Sequence, residues 1–207
     1  MTTGTARPTG SLAYHVERCK KAPISWRLRN TLTIRFIRGW IAYHVAPILA
    51  KVIGFGTITS QLSFKVCRAD GSWEDYGVVS YRQVTTVGIT AMALSFGAQA
   101  SPGNFFYHAL GTGAGAEAAA NTALSTELTT EYTGDVRATG THTEAAGVYT
   151  TVATNTLDSG TPTVTEHGIF TANAAGSLLD KHLFTGIAMA SGDSFVSTYN
   201  LTFTAGG

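Results

Sequence analysis

Residues Thr57 to Val84 read TITSQLSFKVCRADGSWEDYGVVSYRQV, and they carry the plainest β pattern in the chain. Ile58, Leu62, Phe64 and Val66 share one parity, while Thr59, Gln61, Ser63 and Lys65 share the other. Alternation of that kind is a half-buried strand, because side chains of a strand point to opposite faces in turn. Ala69-Asp70-Gly71-Ser72 follows, with Asp-Gly as the hairpin signal. Trp73–Val84 is the returning strand.

The same texture continues downstream. Phe105–Leu110, Val148–Leu157, Thr163–Phe170, Leu178–Phe184 and Phe195–Thr204 read as strands, separated by Gly, Ala, Thr and Asp-Ser-Gly-Thr-Pro turns. In the last of them Phe195, Tyr199, Leu201 and Phe203 face one way and Thr198, Asn200, Thr202 and Thr204 the other. Thr85–Phe96 fits a short helix or a strand, and Thr122–Glu131 one or two helical turns. Short strands at this spacing predict a mainly β chain, an antiparallel β-sandwich over 57–207.

Upstream the composition changes. Residues 1–68 hold eleven Lys and Arg against the single acid Glu17, whereas 69–207 hold three basic residues against twelve acids. Residues 1–56 therefore read as an extended basic N-terminal arm and docking segment for an acidic partner. The first 26 residues lack periodicity and read as flexible or ordered by a partner. From Arg27 to Phe36 the pattern suggests a strand, with Leu28, Leu32, Ile34 and Phe36 on one face and Arg27, Arg29 and Arg35 on the other. Arg27, Arg29, Arg35, Arg38 and Trp40 are the candidate interface residues. Residues 39–56 read as a short helix broken near Pro47 or as an apolar connector. The most apolar window, Trp40–Phe55, is too short for a bilayer span, so no membrane partner is expected.

At 207 residues the chain has room for one domain, and 44% hydrophobic residues exclude wholesale disorder. Only 13% of residues are charged, about half the usual share, which suggests a surface partly covered by other subunits. Cys19 and Cys67 supply neither a disulfide framework nor zinc spacing and read as reduced thiols.

Little here has the pattern of a catalytic site. Gly111-Thr112-Gly113-Ala114-Gly115 lacks the Gly-Lys-Ser/Thr ending of a phosphate loop. His142/Glu144 and Asp180/His182 sit two residues apart, so each pair shares a strand face, while Glu166 and His167 point oppositely. Arg137, Glu166 and His167 are read as structural polar residues, with Glu166 meeting backbone amides or an Arg, Arg137 being the best candidate. No catalytic residue, metal or cofactor is expected.

One order of motifs goes further. It runs Gly111-Thr112-Gly113, Thr122-Ala123-Leu124 with Glu127, Arg137, and Thr165-Glu166-His167-Gly168-Ile169-Phe170. Gly176-Ser177-Leu178-Leu179-Asp180 with Phe184 and Ser191-Gly192-Asp193 complete it. Over 105–207 this resembles small virion structural proteins of tailed bacteriophages and the attachment domain of phage tail-collar fibre proteins. The resemblance implies a non-enzymatic virion component, a capsid decoration or a tail or neck adaptor, assembled in the host cytoplasm. Its partners would be other virion proteins (capsid, portal, neck or tail) and further copies of itself, with nucleic acid a lesser candidate. A receptor- or glycan-binding fibre module is the alternative, and a metal-dependent hydrolase a more distant one.

Overall fold

The hairpin at Asp70-Gly71 forms as its sequence directs. β2 (Thr57–Cys67) and β3 (Trp73–Arg82) pair antiparallel. Gly71 takes the left-handed conformation that closes the turn, and the Asp70 carboxylate accepts from the Ser72 amide. Leu62, Phe64 and Val66 are buried on one face of β2.

The computed structural model describes residues 19–54, 56–82, 84–97 and 105–205; the reading of the opening residues as a flexible arm falls largely on 1–18, outside them. Two sheets face each other. The six-stranded sheet has the order β1-β3-β2-β10-β7-β6, with β1 at Lys20–Lys21, β6 at Thr141–Ala145, β7 at Val148–Thr156 and β10 at Ser194–Thr204. The four-stranded sheet has the order β5-β4-β8-β9, with β4 at Tyr107–Gly111, β5 at Ala138–Thr139, β8 at Thr163–Phe170 and β9 at Leu178–Ala188. Apart from the parallel β1–β3 pair, the ladders are antiparallel, so the chain is mainly β and a β-sandwich.

Phe64 is central to the interior. Its ring centroid lies 4.3 Å from that of Phe195 and 5.0 Å from that of Phe184, within the range of favourable aromatic pairs. Leu62, Val66, Leu110, Leu157, Val164 and Ile187 pack around them. Alternation in β10 sends Phe195, Tyr199 and Leu201 inward as expected, but Phe203, near the strand's end, is exposed.

The basic segment is helical, which corrects the strand reading of Arg27–Phe36. α1 spans Ile24–Thr31 and α2 spans Ile34–Ile53, with Thr33 between them accepting the Phe36 amide as an N-cap. Gly54, in the left-handed conformation, ends α2. Pro47 removes one internal hydrogen bond without breaking the helix. Tertiary contacts decide the matter. Trp26 and Asn30, one turn apart, are the buried residues of α1 and reach the sandwich together. Thr85–Phe96 resolves as a helix, α3 (Thr86–Phe96), whose N-cap Thr85 accepts from Gly88. The helical turns expected within Thr122–Glu131 do not form; Glu127 instead bridges to Gly111.

These helices and the loop at Glu117 close the outer side of β9. Thr85 Oγ1 donates to Leu178 and Leu179 carbonyls. Glu117 accepts the Leu183 amide, Asn30 Oδ1 accepts the Thr185 amide, and Trp26 Nε1 donates to the Thr185 and Gly186 carbonyls. An edge strand's backbone groups are thus answered by side chains.

Candidate functional site

Most of the residues singled out above fall into three places: a buried polar cluster on the outer face of β8, a polar seam between the sheets, and the helical layer beside β3 and β9.

Glu166 is fully buried on β8, on the face turned away from the other sheet, beneath the 111–127 segment. Its Oε1 accepts the amides of Gly113 at 3.1 Å and Thr126 at 2.8 Å, and its Oε2 accepts that of Ser125 at 3.0 Å. Lys181 Nζ lies 3.0 Å from Oε2 and donates to Ser125 Oγ at 2.6 Å. The glycine-rich turn does receive an anion, and that anion is the protein's own carboxylate. A Cβ on Gly113 would fall inside contact distance of Glu166 Oε1, so glycine is needed there for close approach.

Glu166 therefore meets backbone amides, as expected, but its cation is Lys181 and not Arg137. Arg137 is paired with Glu127 through two parallel bonds, Nε–Oε1 at 2.6 Å and Nη2–Oε2 at 2.9 Å. It also donates to the Ala172 and Ala175 carbonyls and lies 3.5 Å above the Phe170 ring. Arg137 therefore ties the 127 region to the β8–β9 turn.

His167 points away from Glu166, into the space between the sheets. Its Nε2 is 3.1 Å from His108 Nδ1, which is also 2.6 Å from Ser197 Oγ; His108 Nε2 is 3.1 Å from Thr151 Oγ1. His108 thus connects β4 in one sheet to β7 and β10 in the other. Burial pushes its imidazole down to about 3. Burial first, then the neighbouring His108 and His182, holds His167 well below the usual histidine range. Both rings are neutral at neutral pH.

Asp180 and His182 do share a face, with His182 Nε2 3.2 Å from Asp180 Oδ2. Asp180 also accepts from Ser60 Oγ and, at 3.3 Å, from Tyr199 OH, which again joins the sheets. His142 and Glu144 form a more distant 3.7 Å pair on the exposed strand β6. Among the described residues no group of three or more His, Cys, Asp or Glu side chains is placed to hold a metal ion. The bonds of His108 and Asp180 join one sheet to the other, while His167 Nδ1 and both ring nitrogens of His182 are buried without a hydrogen-bond partner among the described residues.

The helical layer has the opposite character. α2 sets Phe36, Gly39, Tyr43 and Ala50 toward the sandwich, and Gly39 lies so close to the Tyr81 carbonyl that a Cβ would collide with it. Arg82 Nη1 donates to the Arg35 carbonyl at 2.9 Å. Beneath α2 is a cleft of about 730 Å³, lined by Arg35, Arg38, Arg82, Asp180, Lys181 and the 114–119 loop. Arg82 is paired there with Glu117. Arg27, Arg29 and Arg38 are exposed, Arg35 is half-buried, and none of the four is in an ion pair among the described residues. Trp40, 46% exposed, stacks on His44.

Helical geometry spreads the arginines around α1 and α2 instead of aligning them on one strand face, which corrects the expected arginine row. α2 is also longer than the apolar window read from sequence. Its twenty residues, about 30 Å at 1.5 Å per residue, are long and apolar enough to cross a membrane by length and composition.

Sequence reasoning missed His108, the hub of the seam. Its signal was parity: it shares a strand face with Leu110 in the Phe105–Leu110 run. Lys181 was missed as the partner of Glu166, since its side chain reaches that carboxylate only through the β8–β9 pairing. No family model matches the chain, and no curated protein matches it.

Proposed function

We propose that the protein is a non-enzymatic structural component of a bacteriophage virion, a capsid decoration or a tail or neck adaptor of the fibre-attachment kind. It docks through the basic N-terminal segment and associates with further copies of itself. The observation that carries this reading is the contrast between seam and helical layer. Buried polar groups bond within the body, sheet to sheet at His108 and Asp180 and strand to loop at Glu166, while unpaired cations and apolar side chains are turned outward on α1 and α2. That is the chemistry of a part made to be covered. The motif order over 105–207 supplies the particle context. Partners on this reading are other virion proteins and second copies, with nucleic acid a lesser candidate.

Cryo-electron microscopy of the intact particle, with mass spectrometry of its components, tests it. The expected result is stoichiometric, symmetrically placed density at the shell, neck or fibre base that fits the sandwich. Absence of the chain from purified particles would end the proposal.

A further inference from the structure

The outward face of α1 and α2 is the largest feature that the fold itself does not use. Ile34, Ile37, Ile41, Val45, Ile48 and Val52 recur every three or four residues along α2, on the side away from Gly39, Tyr43 and Ala50. Each is at least 39% exposed, and Ile24, Leu28 and Leu32 extend the surface across α1. Twelve of the seventeen exposed large hydrophobic side chains among the described residues lie between Ile24 and Ile53. Together they make an apolar face on the order of 1,000 Å², beyond the roughly 300–600 Å² of the largest patch on an ordinary monomer.

We infer that this face is covered by the same face of a second copy of the chain, in an isologous contact across a two-fold axis. The inference rests on the self-associating reading above and names the surface that associates. Three observations select this occupant. First, the face is large enough, since a stable interface buries about 800 Å² on each partner. Second, the rest of the chain offers it little apolar counterpart. Beyond α1 and α2, the exposed large hydrophobics among the described residues are three on α3, Val136 and Phe203, so the best chemical match to the face is itself. Third, α2 is held along the body by Gly39 against Tyr81 and by Arg82 on the Arg35 carbonyl. A helix fastened along its length presents a preformed surface to a partner and would have to tear free to cross a bilayer.

The charges give the contact a signature. No acid lies between Glu17 and Asp70. Arg27, Arg29, Arg38 and Lys51 are exposed around the face, and two such faces bring like charges together at the rim. Salt screens that repulsion and strengthens apolar burial. Association through this face therefore tightens as salt is added. An ionic head-to-tail contact between the basic segment and the acidic residues of a neighbour would loosen instead.

Sedimentation velocity of the full chain over a salt series is the test, beside two variants checked for native circular dichroism. The wild type is expected to dimerise, with affinity rising on the order of tenfold from low to high salt. Ile41→Glu/Ile48→Glu is expected to be a folded monomer throughout. Arg38→Glu is expected to dimerise more tightly at low salt, because it lowers the net positive charge that each face brings to the rim. The inference is overturned by a wild-type monomer at every salt, or by association that salt and Arg38→Glu both weaken. It is equally overturned by a soluble monomer that binds phosphatidylglycerol vesicles in an Ile41- and Ile48-dependent way. A monomer located in the particle would remove this inference and leave the virion reading; a dimer absent from particles would do the reverse.

Discussion

Within the folded body these polar side chains are buried and partnered: Glu166 with three amides and Lys181, His108 with Ser197 and Thr151, Asp180 with Ser60 and Tyr199. On α1 and α2 the relation is inverted, with isoleucine, leucine and valine in solvent and small residues such as Gly39 and Ala50 against the body. Burying the first set is costly unless every partner is present, and exposing the second is costly unless something covers it. The difference teaches where specificity resides. The bonds of His108 and Asp180 fix how one sheet sits on the other, and the helical layer leaves an apolar face uncovered.

The sharpest way to break the interior half of this comparison is at Glu166. Glu166→Ala leaves three amides and the Lys181 ammonium without their acceptor, and about 3–5 kcal/mol of stability should be lost. Urea unfolding measures it. A loss below 1 kcal/mol would mean that Glu166 is not what holds the turn at Gly113. Trp26→Ala tests whether α1 belongs to the body. Trp26 is 6% exposed, packs edge-on against Tyr76 at 4.7 Å and caps β9, so a loss of about 3 kcal/mol is expected. An unchanged unfolding midpoint would detach α1 from the core.

Acid should next distinguish seam from surface. His108 and His167 are neutral in the fold and titrate near 6.5 when unfolded, so the unfolded state binds the extra protons. Stability is therefore full above pH 6.5 and falls as pH drops toward 3, by about 2–3 kcal/mol over the first two units for His108, with His167 acting in the same direction. Denaturant titrations at pH 7 and pH 4.5 would show this, and His108→Gln should reduce the slope. Stability that stays flat across that interval would mean that the rings are charged or open to water. The smallest effect belongs to the outer half: Ile48→Ser, on a side chain 64% exposed, should change the stability of a monomer by less than ~0.5 kcal/mol. A larger loss under monomeric conditions would show the face already packed within one chain.

How far these two regions were legible in the sequence follows from the same contrast. β2 and β10 were readable because one face is buried and the other is more open, which prints a two-residue rhythm; β8 and β9, buried on both faces, lack it and were marked by the turns that bound them. α1 and α2 carry apolar residues on their solvent side, so the inside–outside rule misled over Arg27–Phe36. Only the pairing of Trp26 with Asn30, one turn apart, marks the buried face of α1. Pairings across strands were not legible either. Arg137 and Glu166 looked matched because few cations remain in that half, yet the path of the chain gives Arg137 to Glu127 and Lys181 to Glu166. The amide cradle of Glu166 was foreseeable in kind. Its location at Gly113 was not, since no local pattern says which turn folds back over a strand.

The capping of β9 has a consequence for how such units can be combined. Thr85, Glu117, Asn30 and Trp26 occupy backbone positions that an incoming strand would need. A neighbour therefore finds that margin of the sheet already sealed, and polymerisation by strand addition is blocked there. Copies can be stacked, ringed or seated on a lattice through their faces while each sheet keeps its own width. High local concentration would then favour docking through faces over fibrous growth from that side.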